Sequence, residues 1–218
     1  NVPTGVAVGS DGEIVIADQF NHRIRKVSTN GIIHTIVGYG VGGFSGESGI
    51  VVDAKLNNPT SVKVTTSGEL FINDYGNRKI RKVDPNGIIT AIAGLGVGGF
   101  GGDGGSALNA VLRNAGEVVV TDDGDVLFAD TFNNRIRKVY ASDGTIATVA
   151  GSGDFGFSGD GGLAINAALS QPRSVAYKDG EVYIADTENH RVRKILNDGT
   201  ITTIAGREIG DYCGDYGL

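Results

Sequence analysis

Short runs of alternating hydrophobic and polar residues are separated by turn residues along the whole chain. In the first unit these runs cover residues 5–8, 13–17, 23–27 and 32–37, and Asp-Gly or Asn-Gly pairs lie in two of the connections. Alternation with a period of two is typical of strands. Asp-Gly and Asn-Gly supply the positive φ angles that tight hairpins need. The pattern therefore predicts a four-stranded antiparallel meander, and only the Ala-rich segments 106–112 and 163–169 indicate a helical turn.

The same pattern occurs four times, with a step of about 56 residues. Three positions recur in every copy, namely an Asp, an Asn three residues later and an Arg four residues after that: Asp18, Asp74, Asp130 and Asp186; Asn21, Asn77, Asn133 and Asn189; Arg25, Arg81, Arg137 and Arg193. Four-stranded meanders repeated around an axis form a β-propeller. The predicted fold is an all-β propeller with blades at about 1–56, 57–112, 113–169 and 170–218.

Two copies of the motif resemble the NHL repeat: Ile-Ala-Asp-Gln-Phe-Asn-His-Arg-Ile-Arg-Lys-Val at 16–27 and Ile-Ala-Asp-Thr-Glu-Asn-His-Arg-Val-Arg-Lys-Ile at 184–195. The linker Phe-Ser-Gly-Asp-Gly-Gly at 157–162 is similar to the long-loop variant of that repeat. The resemblance implies a propeller, and the family most often closes with six blades. With four copies, either four blades close alone, or the chain pairs with other copies, or further blades complete the ring.

The strand at 23–27 presents a problem of alternation. Ile24 and Val27 both have the character of core residues, yet strict alternation places them on opposite faces. We therefore expect a bulge between them. The Arg and Lys residues of this strand could form a basic stripe for RNA, or they could cover the sheet and pair with the recurring carboxylates. The net charge of −6 argues against nucleic acid as a partner.

The recurring Asp and Asn residues admit two interpretations. They could form a ring of carboxylates at one mouth of the propeller, or they could bond to the backbone of their own turns. Because they recur identically in all four copies, we favour the structural role.

The Gly-rich linkers at 102–105 and 159–162, with degenerate versions at 46–49 and 214–217, are interpreted as tight connections between blades. No cofactor is expected, although one carboxylate per loop leaves a weak divalent-cation site open. His34 falls on an outer strand, away from His22 and His190, so a three-histidine zinc site is not expected. Cys213, the one cysteine, is interpreted as a small loop residue.

Binding sites on repeat proteins usually lie where the copies differ. Six such positions form the predicted binding face: Tyr39, Tyr75, Phe132, Phe155, Glu188 and Arg207. The sequence favours a noncatalytic binding or scaffold module that interacts with a protein or with itself, with a small ligand or glycan as further options. The alternatives are a propeller hydrolase or lyase with an axial divalent cation, and a structural subunit that assembles through open blade edges.

Two further expectations concern the cellular setting. No apolar run approaches the roughly 20 residues of a membrane span. The chain starts without Met or a signal-like segment. We expect a piece of a larger extracytoplasmic protein, extracellular or at the cell surface, whose targeting segment is absent from this chain.

Overall fold

The computed structural model describes residues 1–207, and these form four antiparallel sheets around a common axis. Each sheet is one blade of a β-propeller, and its strands follow in sequence order from the axis outwards. Blade 1 comprises β1 Pro3–Val8, β2 Ile14–Asp18, β3 Arg23–Val27 and β4 Ile33–Val37; blade 2 comprises β6 Ser61–Val64, β7 Leu70–Asp74, β8 Lys79–Val83 and β9 Ile88–Ala93, with β5 Gly49–Ile50 added at its outer edge; blade 3 comprises β10 Ala115–Val120, β11 Val126–Asp130, β12 Arg135–Val139 and β13 Ile146–Ala150; blade 4 comprises β14 Ser174–Lys178, β15 Glu181–Asp186, β16 Arg191–Ile195 and β17 Ile201–Gly206.

Helical backbone is confined to three-residue 3-10 turns across the described part of the chain. Four of them join the second and third strands of the blades, and three lie in the linkers: Gln19–Asn21, Tyr75–Asn77, Thr131–Asn133 and Thr187–Asn189; Val51–Asp53, Ala107–Asn109 and Ala164–Asn166. No helix within residues 1–207 has the length and apolar character needed to cross a membrane.

The expected bulge inside the third strand is absent from β3. The strand pairs regularly with β2, and the irregularity lies in its outer neighbour: Ile24 pairs with Val37 and Arg25 with Thr35, so the additional residue belongs to β4. Ile24 and Val27 do lie on opposite faces. An interior blade is packed on both sides, which is why the equivalents of both residues in blade 2, Ile80 and Val83, are buried.

Three hydrophobic cores fill the boundaries between successive blades. Between blades 1 and 2, Val15 and Ile24 on one side meet Leu70 and Ile72 on the other. Leu56 in the linker is completely buried beneath the same boundary, as are its equivalents Leu112 and Leu169 at the next two boundaries. Each blade is therefore held mainly by the neighbours before and after it.

Blades 1 and 4 each leave one face open. We call the face of blade 1 that contains Val6, Ile14 and Ile33 its leading face. Val6 is 69% exposed, whereas the equivalent Val62, Val118 and Val175 are 4%, 1% and 1% exposed. On blade 4, Val192 is 37% exposed although its equivalents Ile24, Ile80 and Ile136 are fully buried, and Ile204 beside it is 48% exposed. This second surface is the trailing face of blade 4, and within residues 1–207 no hydrophobic core joins it to the leading face.

Candidate functional site

The recurring Asp and Asn residues form a compact hydrogen-bonded turn inside each blade. In blade 2, the carboxylate of Asp74 accepts from the backbone N–H of Asn57 at 2.7 Å and from Asn77 Nδ2 at 2.8 Å. The guanidinium of Arg81 lies 3.6 Å from the same carboxylate. Asp130 and Asp186 make the corresponding contacts in blades 3 and 4. These three carboxylates are fully buried, so they face the interior of their blades and not a mouth of the channel.

Burial dominates the electrostatics of these carboxylates. Loss of solvent raises the pKa of Asp74 to about 6, and the bonds from Asn57, Asn77 and Arg81 oppose this shift only in part. The pKa values of Asp130 and Asp186 are raised for the same first reason. Asp18 in blade 1 differs, because hydrogen bonds from the N-terminal ammonium and from Asn21 outweigh the desolvation and lower its pKa.

Each interior arginine is held in what we call an arginine clamp, formed by the linker that precedes its blade. Arg137 of blade 3 lies 2.7 Å from Asp103 and 3.2 Å from Asp130, and its guanidinium carbon is 5.0 Å from the ring centre of Phe100. The clamps of blades 2 and 4 repeat this geometry with Glu47 and Phe44 on Arg81, and with Asp160 and Phe157 on Arg193. In the three Gly-rich linkers that the structure describes, the carboxylate is thus paired with an arginine.

The first blade lacks this clamp among the described residues. Arg25 contacts Asp18 at 3.6 Å, and its side chain remains 26% exposed, whereas the side chains of Arg81, Arg137 and Arg193 are fully buried. The fourth linker, at 214–217, and Cys213 lie outside the described residues.

Metal-ligating side chains do not gather in the part of the chain that the structure describes, where no group of three His, Cys, Asp or Glu residues could hold an ion. His22 and His190 occupy the left-handed position after the 3-10 turns of blades 1 and 4, with φ of 54° and 56°. His34 lies on β4, the outermost strand of blade 1.

A pocket of about 760 Å³ lies on the axis, where the inner strands of all four blades begin. We call it the axial pocket. Adjacent inner strands are linked around it, for example by the Glu117 N–H that donates to the Arg173 carbonyl at 3.0 Å. Its lining combines small polar residues from blades 1 and 2 with aromatic, amide and charged residues from the 3-10 turns and from blades 3 and 4: Thr4, Thr60 and Ser61; Tyr75, Asn114, Glu117, Thr131, Phe132, Gln171, Arg173 and Ser174.

The axial pocket is asymmetric although the blades are repeats. At one ring of equivalent positions the residues are Thr4, Thr60, Gly116 and Arg173, and all four line the pocket. At the next ring, Glu117 is the one acid, and it hydrogen-bonds Ser174 Oγ. Opposite charges therefore lie on the side of blades 3 and 4. This asymmetry favours an elongated or polar ligand whose two ends differ, and it does not favour a single ion centred on the axis.

The predicted binding face is divided by the structure. Tyr75 and Phe132 line the axial pocket, and Glu188 lies 3.7 Å from Arg173 at its rim. Tyr39 and Phe155 lie in linkers and are 61% and 69% exposed, and Arg207 follows β17; these three lie outside the pocket lining. Sequence reasoning missed Glu117 and Arg173, although both differ from their equivalents in the other copies. That difference was the available signal.

The fold and the repeat together define a β-propeller repeat protein. The family model for the NHL repeat matches residues 1–27 and 169–195. The chain is 30% identical over 237 residues to NHL repeat-containing protein 2 of Gallus gallus, covering 94% of this chain and 31% of that protein. It is 31% identical over 220 residues to teneurin-4 of Mus musculus, covering 88% of this chain and 8% of that protein. The chain belongs to the NHL-repeat β-propellers, and it spans less than a third of these relatives.

Solved structures show the same fold at lower identity. A streptogramin B lyase superimposes with a TM-score of 0.63 over 92% of this chain and 53% of that chain, at 17% sequence identity. Identity at this level shows a common architecture and leaves the function to be argued from the site.

Proposed function

We propose that this chain is a noncatalytic binding module whose axial pocket holds a segment of a protein partner. The observation that carries the proposal is a separation of roles. The recurring Asp, Asn and interior Arg residues are engaged in bonds within the propeller, whereas the axial pocket is lined by residues that change from blade to blade. A site that varies while its scaffold repeats is the usual arrangement for recognition on repeat proteins.

The lining supports binding better than catalysis. Tyr75 and Phe132 offer aromatic surface, and Glu117, Asn114 and Arg173 offer hydrogen bonds, which is the composition of a recognition site. Neither His nor Cys is among the lining residues, and Ser174 has an acid and no imidazole beside it. A hydrolase or lyase with an axial cation would need ligands that this lining does not provide. We also propose an extracytoplasmic location, which rests on the resemblance of the linkers to the long-loop NHL variant.

Phe132 and Phe20 provide a matched test of this proposal, because they occupy equivalent positions and are 44% and 50% exposed. Only Phe132 of the two lines the axial pocket. Peptides selected from a random library on the wild-type chain should bind Phe132→Ala at least about tenfold more weakly, since an aromatic anchor contributes more than 1.4 kcal/mol. Phe20→Ala should bind them as the wild type does.

Titration calorimetry with the selected peptides gives the dissociation constants. Equal binding to both variants would place recognition outside the axial pocket and would contradict the proposal. A parallel screen on a glycan array distinguishes a protein partner from a carbohydrate. Binding of glycans without peptides would also overturn the proposed partner class.

We propose a second function, head-to-tail assembly, which rests on the two open faces. The trailing face of blade 4 is equivalent to surfaces that pack in all three cores, and the leading face of blade 1 is equivalent to the surfaces they pack against. A second copy therefore presents the partner that each open face lacks. The contact would continue the intramolecular packing between chains, and a heterologous contact of this kind forms a ring or an open series.

Charged substitutions on the two faces test the assembly. Light scattering should give the wild type a mass of two or more times 22.5 kDa, and Val6→Glu or Val192→Glu alone should reduce it to that of a monomer, because each contact needs one intact face of each kind. Mixing the two variants should form a one-to-one complex, because each retains the face that the other lost. Leu108→Glu, in an exposed linker position, should behave as the wild type. A wild-type monomer at all concentrations would overturn the proposal. Self-association of a double variant that carries both Val6→Glu and Val192→Glu would also overturn it.

A further inference from the structure

A second pocket lies beside the axial pocket, between blades 2 and 3. It measures about 470 Å³ and is lined by Arg78, Gly98, Gly99, Arg113, Asn114 and Phe132. We call it the arginine pocket. Asn114 and Phe132 also line the axial pocket, so the two are neighbours that share a wall. No acidic residue belongs to its lining.

The two arginines have no carboxylate partner among residues 1–207, although the interior arginines of the blades all do. The guanidinium carbon of Arg113 lies 5.9 Å from the ring centre of Phe132, which holds it over the pocket. Arg78 Nε is buried and has no hydrogen-bond partner within residues 1–207, a condition that it shares with Nε of the clamped arginines. The distinctive feature is that two arginines line a cavity whose lining contains no negative charge.

The equivalent positions of the other blades show what Arg78 has replaced. In blade 1, His22 Nδ1 accepts the backbone N–H of Asn58 at 3.1 Å, and in blade 3, Asn134 Oδ1 accepts the N–H of Gln171 at 2.9 Å. Arginine has no acceptor atom. The corresponding N–H of Asn114 consequently has no protein acceptor within the described residues. A buried or half-buried donor in this condition favours a ligand that brings an acceptor.

Neither arginine is required by the repeat. The position of Arg113 is filled by Asn57 and Ser170 in blades 2 and 4, and the position of Arg78 by His22, Asn134 and His190. Both substitutions introduce a cation, and they meet in one cavity from different blades. Coincidental surface charges would not be expected to share a pocket with an N–H that lacks the acceptor present at the boundaries between blades 1 and 2 and between blades 3 and 4.

We propose that the arginine pocket binds an oxyanion, the carboxylate or phosphate group of a ligand whose remainder lies in the axial pocket. This inference specifies the ligand class of the proposed binding function. Only the placement of the rest of the ligand in the axial pocket rests on that proposed function. Guanidinium groups bind both kinds of oxyanion through paired N–H donors, and the N–H of Asn114 supplies a further donor. Phe132 would separate the charged end of the ligand from its part in the axial pocket.

The oxyanion site can be tested without the larger ligand. Sodium acetate and sodium phosphate are titrated separately into the 15N-labelled chain, with sodium chloride keeping the ionic strength constant. The backbone amide of Asn114 should shift saturably with at least one anion, with a dissociation constant on the order of 10 mM for so small a ligand. Saturation with acetate alone identifies a carboxylate site, and saturation with phosphate alone identifies a phosphate site.

Arg78→Asn is the informative variant because it restores the residue found in blade 3 and gives the N–H of Asn114 an acceptor. It should remain folded and bind the anion at least tenfold more weakly. Arg113→Asn, the residue of blade 2, should also weaken binding. Lys63→Ala removes an exposed cation elsewhere in blade 2 and should change nothing.

The proposal is overturned if neither anion shifts Asn114 saturably, or if Arg78→Asn responds as the wild type does. Shifts scattered over many surface Lys and Arg residues would show an adventitious ion only. The outcome is separate from that of the peptide selection. Saturable anion binding without any peptide would leave the oxyanion site standing and refute the proposed partner, and peptide binding without an anion response would do the reverse.

Discussion

Replacement of Arg137 by Ala should destabilise the propeller by about 3–5 kcal/mol, the usual cost of removing one partner from a buried ion pair. The substitution leaves Asp130, which is fully buried, without its cation, and it releases Asp103 and Phe100 of the preceding linker. A domain of this kind is stable by only about 5–15 kcal/mol, so the loss should be plain in urea unfolding.

Arg25→Ala is the matched control for this prediction. Arg25 occupies the same place in blade 1, yet it lacks a clamp among the described residues and is partly exposed. Its removal should cost less than about 1 kcal/mol. Equal losses from the two substitutions would show that the clamp contributes nothing beyond the pair within the blade. The double variant Arg137→Met, Asp130→Asn should recover part of the stability, because it removes the uncompensated charge.

The stability of the chain should pass through a maximum near pH 5. The pKa of Asp74 in the fold is about 6, against 3.8 in the unfolded chain, so the folded state binds the proton more tightly between these values. Stability from this group is complete below about pH 4 and is lost as the pH rises through 6. A shift of about two pKa units corresponds to a change on the order of 3 kcal/mol. Asp130 and Asp186, whose pKa values are also raised, add to the loss in the same direction.

The opposite limb of the profile comes from carboxylates whose pKa values are lowered. Hydrogen bonds from Lys82 and Lys194 lower the pKa values of Glu69 and Glu181, and a backbone N–H lowers that of Asp84. Their contribution is present above the unfolded pKa near 4 and is lost as the pH falls below it. Urea unfolding from pH 3 to pH 8 measures both limbs. Asp74→Asn should flatten the decline between pH 5 and pH 7, and a stability that rises over that range in the wild type would contradict the prediction.

The repeat predicted the fold because its signal lies in local residues. The step from Asp18 to Asp74, the turn glycines and the alternating apolar positions define a blade without reference to any other blade. The assignment of Tyr75 and Phe132 to a binding face likewise depended only on their departure from the repeat. Two sequence-based inferences failed for one reason. The bulge was wrongly expected in β3, and the role of the linker phenylalanines was not recognised, because both depend on what packs across the boundary between blades.

The arginine pocket illustrates the same limit. The sequence shows that Arg113 departs from the other copies, but it supplies no chemical reason for the change. Arg78 lies 35 positions earlier and departs independently. Only the contact between blades 2 and 3 brings them together, and only the comparison with His22 and Asn134 shows that a backbone donor has lost its acceptor.

Because of the arginine clamp, a blade forms a structural unit with the linker before it, whereas the sequence repeat groups a blade with the linker after it. Each of the three described linkers follows one blade in the sequence, yet its phenylalanine and its carboxylate contact an arginine of the next blade. In the first linker, β5 also pairs with the outer strand of the next blade. Suppose that one 56-residue repeat is deleted with its boundaries placed just after the linkers. The deleted blade then leaves behind the preceding linker, whose phenylalanine and carboxylate had contacted its arginine. Boundaries placed just before the linkers would keep each blade together with the linker that contacts its arginine. Duplication or deletion of blades should therefore be tolerated best with those boundaries.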